Sequence, residues 1–118
     1  MMPEMMTKRS DFQSMKNGVR YRGPFFLLAT KANGLEIARI GYTVTKKQGN
    51  SVQRNRMKRR LRALARGEQA AFQSGVDYVF LASSDVLNAP FATLKSETSR
   101  RLADAGRKAS QTQPDRNR

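Results

Sequence analysis

Apolar and polar positions divide this chain into short stretches of differing period. Ser10 followed by Gln13 has capping-box spacing, which predicts a short helix over about Asp11 to Lys16 with Phe12 and Met15 on one side and Asn17-Gly18 as its stop. Phe25 to Thr30 (FFLLAT) is apolar at both parities, the mark of a strand covered on both faces. The pattern leaves open whether Phe25 or Phe26 faces outward. Asn33-Gly34 is a hairpin-type turn signal, so the next strand, Glu36 to Val44, is expected to pair antiparallel with the first. In it Ala38, Ile40, Tyr42 and Val44 share one face, and Arg39, Gly41 and Thr43 share the other.

Beyond the polar link Thr45 to Asn50 the period changes to that of a helix. Met57, Leu61, Leu64 and Ala65 gather in one stripe, and Asn50 with Gln53 has the spacing of an N-terminal cap. This helix is expected to run to about Ser74, with Gly75 ending it. Val76 to Ala82 reads as a third strand. Asn88-Ala89-Pro90 then opens a last helix carrying Phe91, Leu94, Thr98, Leu102 and Ala105 at helical spacing. The predicted order is α-β-β-α-β-α, helices packed on one small sheet. Residues 8–106 form one α/β domain in this reading, flanked by a flexible N-terminus at 1–7 and a disordered basic tail at 107–118.

Charge changes the picture most at the middle helix. Of the 23 lysines and arginines, nine stand between Lys46 and Arg66, with no acid among them. Arg54, Arg56, Lys58, Arg59, Arg60, Arg62 and Arg66 lie on the helix, and most of them spread over the arc opposite its apolar stripe. Cations crowded near a helix N-terminus oppose the helix dipole, and a bound phosphate relieves both that conflict and their mutual repulsion. Arginine's planar fork suits bidentate phosphate contact. With a formal net charge of +14, a polyanion is the expected partner. A solvated basic face is the plainer alternative.

Composition also narrows the chemistry. The chain has no histidine and no cysteine, which removes the usual general base, thiolate nucleophiles and the commonest nitrogen and sulfur metal ligands. Its nine carboxylates show no paired spacing for acid/base work or a metal cage, so neither catalytic nor metal-binding residues are assigned. No apolar run reaches the ~18 residues of a membrane span, and a cytoplasmic location is the default.

The stretch Thr45 to Arg62, TKKQGNSVQRNRMKRRLR, resembles the signature of the bacterial ribonuclease P protein component, S/T-K-K-x-G-x-A-V-x-R-N-R-x-K-R-x-x-R. The likeness extends over about residues 8 to 105. It implies an α/β sandwich with a left-handed β-α-β crossover, against the usual right-handed rule. It also implies an endoribonuclease subunit that joins a catalytic RNA and helps it remove the 5′ leader of precursor tRNA. The RNA performs the hydrolysis with Mg2+, which RNA mainly holds; no membrane or protein partner is implied. Carried over by position, Lys46, Lys47, Arg54, Asn55, Arg56, Lys58, Arg59 and Arg62 are expected to contact the catalytic RNA. Phe12, Phe26, Leu28, Val79 and Leu81 are expected to line the leader-binding cleft. A basic ribosomal or other structural RNA-binding protein, and a DNA-binding helix module, are the alternative readings.

Overall fold

In Phe26–Ala32 (β3) and Val76–Ala82 (β5) successive side chains point to opposite faces, and both faces carry apolar residues. Their antiparallel register sorts these residues. Phe26 pairs with Ala82, Leu28 with Phe80 and Thr30 with Tyr78, whereas Leu27 pairs with Leu81, Ala29 with Val79 and Lys31 with Asp77. Three further strands complete the sheet: Glu4–Met5 (β1), Val19–Arg22 (β2) and Arg39–Thr43 (β4), in the order β1-β4-β5-β3-β2. The computed structural model describes the backbone of residues 3–6 and 8–116 and the side chains of 3–6, 8 and 10–107.

The helices divide unequally between the two faces. Ser51–Arg66 (α2) and Phe91–Arg116 (α3) cover the first face. Their Met57, Leu61, Leu64, Leu94 and Leu102 join Leu28, Ile40, Tyr42 and Phe80 in the main core. Among the described residues, Arg9–Ser14 (α1) and the 3₁₀ turn Met15–Asn17 after it cross the second face, where Met6, Met15, Ala29 and Val79 form a smaller cluster with Phe12 and Leu27 against it. One six-residue helix and its turn cannot cover the sheet, so part of the second face stays open.

The expected hairpin between β3 and β4 is replaced by an insertion. β5 lies between them, antiparallel to β3 and parallel to β4. The turn signal is real, for Gly34 has φ 72°, but Asn33 spreads the chain apart there. Its Oδ1 accepts from the Leu35 N–H, and its Nδ2 donates to the Ile37 carbonyl and to Asp77. The opening is filled by Gly75, which accepts from the Asn33 N–H and donates to the Ile37 carbonyl. β4, α2 and β5 thus make a β-α-β unit with adjacent parallel strands.

Other differences have local causes. α1 begins at Arg9 after an uncapped Lys8, so Ser10 lies inside the helix and the expected Ser10 cap is not made. α2 stops at Gly67, because its apolar stripe ends at Ala65 and the Gly67 and Glu68 N–H groups close on the Ala63, Leu64 and Ala65 carbonyls. A 3₁₀ turn, Gln69–Ala71, replaces the helix expected to reach Ser74. Of the stretch 1–7 read as flexible, Met1, Met2 and Thr7 lie outside the described residues. Glu4 and Met5 pair with Arg39 and Ile40, and Met6 is buried, its N–H donating to the Ile40 carbonyl. At the other end α3 keeps a helical backbone to Arg116, within the stretch read as a disordered tail. Adding turns to an already packed helix costs far less than starting one. No described helix is long and apolar enough to cross a membrane.

Candidate nucleic-acid interface

α2 begins with a complete capping box. Asn50 Oδ1 accepts from the Gln53 N–H at 2.9 Å, and Gln53 Oε1 accepts from the Asn50 N–H at 2.9 Å. With Met57, Leu61, Leu64 and Ala65 buried, helical geometry turns Asn55, Arg56, Arg59 and Arg66 to solvent. Arg54, Lys58 and Arg62 are half-buried on one flank, and Lys46 and Lys47 are exposed on the 3₁₀ turn Lys46–Gln48 that leads into the helix. All eight residues expected to contact RNA therefore lie on α2 or the turn before it.

Three arginines of α2 have distinct surroundings. Arg54 Nε donates to the Gly49 carbonyl at 3.2 Å, which steadies the incoming turn. Arg62 stands 5.9 Å from the Tyr42 ring centroid, and its Nε is buried without a hydrogen-bond partner. Burial pushes the Tyr42 hydroxyl up to about 12, while the charges of Arg62 and Arg66 pull the other way. Arg60 is committed to the fold: its two Nη atoms donate to the carbonyls of Val86, Leu87 and Ala89 at 2.8–2.9 Å. It belongs to the cation array in sequence but has few donors to spare for a ligand.

The open second face of the sheet forms a cleft of about 380 Å3. Leu27, Ala29, Val79 and Leu81 make its floor, Phe12 and Met15 one wall, and Lys16, Arg20 and Arg22 supply cations around it. Leu81 is 41% exposed, unusual for a residue in mid-strand. Phe12 packs against Gly41: a Cβ there would stand 2.6 Å from Phe12 Cε1, so only glycine lets the ring lie this close to β4. An apolar floor edged by cations suits a single strand of nucleic acid, with bases stacking inward and phosphates outward. A second cavity of about 310 Å3 shares Arg22, Leu27 and Leu81 with the cleft and reaches Thr45 and Gln48, just before Lys46 and Lys47 or beside them.

Of the residues expected to line the cleft, the structure brings Phe12, Val79 and Leu81 together there. Phe26 and Leu28 are on the opposite face, 3% and 0% exposed in the core beneath the helices. The correction is one of parity, since a one-residue shift along a strand exchanges its faces. Leu27 and Ala29 occupy the cleft positions instead. Sequence reasoning also missed Arg20 and Arg22; their alternation around Tyr21 was the available signal.

α1 is held over the cleft by two charged groups. Arg39 on β4 is bidentate to Asp77 on β5, Nε–Oδ1 at 2.8 Å and Nη2–Oδ2 at 2.6 Å, and its Nη1 reaches Asp11 of α1 at 3.3 Å. The hydrogen bonds to Asp77 hold the Arg39 pKa above its ordinary value against an opposing effect of burial, with the charges of Asp77 and Asp11 adding. At the other end of α1, Lys31 Nζ donates to the Ser14 carbonyl at 2.9 Å. Among the described residues no group of three or more acids could hold a metal ion.

Comparison with known proteins agrees with this geometry. The family described as Ribonuclease P matches residues 2–106. The ribonuclease P protein component of Bartonella quintana is 47% identical over 108 residues, covering 85% of this chain and 81% of that protein. Its counterpart in Brucella melitensis biotype 1 is 39% identical over 115 residues, covering 89% and 82%. Among solved structures, a Staphylococcus aureus RNase P protein mutant with defective mRNA degradation activity superposes with a TM-score of 0.75 at 25% identity, covering 86% of this chain and 87% of that one. A family match across most of the chain, with close relatives aligned over most of their own length, shows that this chain belongs to the ribonuclease P protein family.

Proposed function

We propose that the chain is the protein subunit of ribonuclease P, binding its catalytic RNA through α2 and the 5′ leader of precursor tRNA in the cleft. The observation that carries this reading is the separation of the two surfaces. The cation face of α2 and the cleft lie on opposite sides of one sheet, so two RNA elements fit without competing. The second cavity adjoins the cleft and reaches Thr45 and Gln48 at the turn that leads into α2. Lys46, Lys47, Arg54, Asn55, Arg56, Lys58, Arg59 and Arg62 take the catalytic RNA, while Phe12, Val79 and Leu81, with Leu27 and Ala29, take the leader.

In this reading hydrolysis belongs to the RNA. The magnesium that this RNA would hold would supply an activated water and neutralise charge at the scissile phosphate. In this reading the metal is held mainly by RNA, and Asp11 and Asp77 are both engaged by Arg39. What the chain contributes is affinity and placement, which lower the magnesium needed by holding the substrate against the catalytic RNA. The test is reconstitution with a bacterial ribonuclease P RNA at low magnesium. Leader removal from precursor tRNA should rise well above that of the RNA alone; no stimulation would overturn the assignment.

A narrower prediction concerns the cleft. Phe12→Ala should weaken binding of precursor tRNA with a long leader by about 5- to 150-fold, the range of one lost base stack, and spare tRNA without a leader. Gly41→Ala should act alike, because its new methyl group displaces the Phe12 ring. Comparing dissociation constants for the two RNAs checks both variants. Equal losses on both would reject the cleft as the leader site.

A further inference from the structure

Phe91 is the first residue of α3 and is 43% exposed. It belongs to neither apolar cluster, so the core does not require an aromatic ring at this position. Beside it is the guanidinium of Arg60, 6.0 Å from the ring centroid, at the outer reach of a cation–π contact. Arg60 in turn is fixed by the three carbonyls of Val86, Leu87 and Ala89. Val86, fully buried, anchors the same 3₁₀ turn, Ser84–Leu87. The head of α3 is therefore tied to α2, and Phe91 is presented at that junction with much of its surface open to solvent.

The neighbourhood on α2 indicates what would cover that surface. Arg56 lies one helical turn before Arg60, and Arg59 precedes it in sequence about 100° around the helix; both are exposed. An exposed aromatic ring steadied by one arginine, with further exposed arginines on the same helix, is an arrangement that takes an unpaired base between phosphate contacts. We propose that Phe91 is a stacking site for an unpaired base of the RNA whose phosphates α2 binds, so that the RNA footprint extends from α2 onto the head of α3. This deepens the RNA-subunit reading and rests on it. Arg60 is then a positioning residue: it holds the ring in place, while Arg56 and Arg59 meet the backbone. Charge complementarity selects nucleic acid as the occupant, since an uncharged protein surface would leave those cations unanswered.

The chain contains no tryptophan, so Phe91→Trp introduces a single one at the proposed contact, read by exciting to the red of the three tyrosines. Titrated with a ribonuclease P RNA, its emission should change sharply and saturate with binding. A fully paired RNA duplex should bind through the cations and leave the emission nearly unchanged. Phe91→Leu keeps an apolar cover at the junction but has no π face. It should bind the RNA about 5- to 150-fold more weakly, with the wild-type circular dichroism and an unchanged dependence on salt, because no phosphate contact is lost. Silent emission at saturation, an equal signal with duplex, or wild-type affinity in Phe91→Leu would each overturn the stacking site while leaving the RNA-subunit reading in place. Failure of the wild-type chain to bind the RNA would overturn both.

Discussion

Raising monovalent salt from about 50 to 200 mM should weaken binding of this protein to its RNA by about 10³–10⁵-fold, the loss expected when ~6–10 phosphates are neutralised. Lys46, Lys47, Arg54, Arg56, Lys58, Arg59 and Arg62 bring the candidate contacts into that range. They sit on one helix and its entry turn, where the capping box and the buried stripe fix which way they face. The test is affinity measured across a salt series and plotted as the logarithm of one against the other. Arg56→Ala with Arg59→Ala should lower the slope by about one for each lost contact while leaving the fold intact. Arg60→Ala should behave differently: the slope stays the same and stability falls, because three carbonyls lose their donor. A slope near zero in the wild type, or an unchanged slope in the double variant, would remove the cation face of α2 from the interface.

The contrast between Arg60 and its neighbours shows how far the sequence could be read. The cap, the apolar stripe and the charge of α2 are local properties, and the pattern of Asn50 to Arg66 was enough to place them. Arg60 differs from Arg56 and Arg59 only through the carbonyls of 86–89, far downstream, and no local pattern carries that information. Strand parity failed for a similar reason. β3 is apolar on both faces, so which of its residues reach the cleft is decided by register with β5 and by which face the helices cover. Asn33-Gly34 did signal a turn, yet only the insertion of β5 shows that the turn separates its two strands. β2 and the pairing of β1 were too short to register as strands, although Arg20 and Arg22 of β2 help to edge the cleft. Residues whose role depends on their own helix were thus legible, and those whose role depends on a distant partner were not.

Arg39→Ala should be the most damaging single change away from the apolar core, with a loss of about 3–5 kcal/mol. The reason is the partner left behind. The Asp77 side chain is only 4% exposed, and without Arg39 it keeps one side-chain donor, Asn33 Nδ2 at 2.9 Å. In a domain of this size each kcal/mol lowers the melting temperature by roughly 4–8 °C, so calorimetry should find a drop of well over 10 °C. Replacing both partners, Arg39→Met with Asp77→Leu, should recover most of that loss, since a buried ion pair often gives way to apolar groups of similar volume at little cost. The cleft should not recover with it. Asp11 loses its partner in both variants, leaving α1 fastened at its far end by Lys31 while Phe12 is free to shift on Gly41. The double variant should therefore melt close to wild type and still bind long-leader substrate more weakly than wild type, with binding of leaderless tRNA unaffected. A melting temperature for Arg39→Ala within a few degrees of wild type would show that Asp77 is hydrated without its partner. Full recovery of leader binding in the double variant would show that α1 is placed by packing alone and that the contact from Arg39 to Asp11 has no part in shaping the cleft.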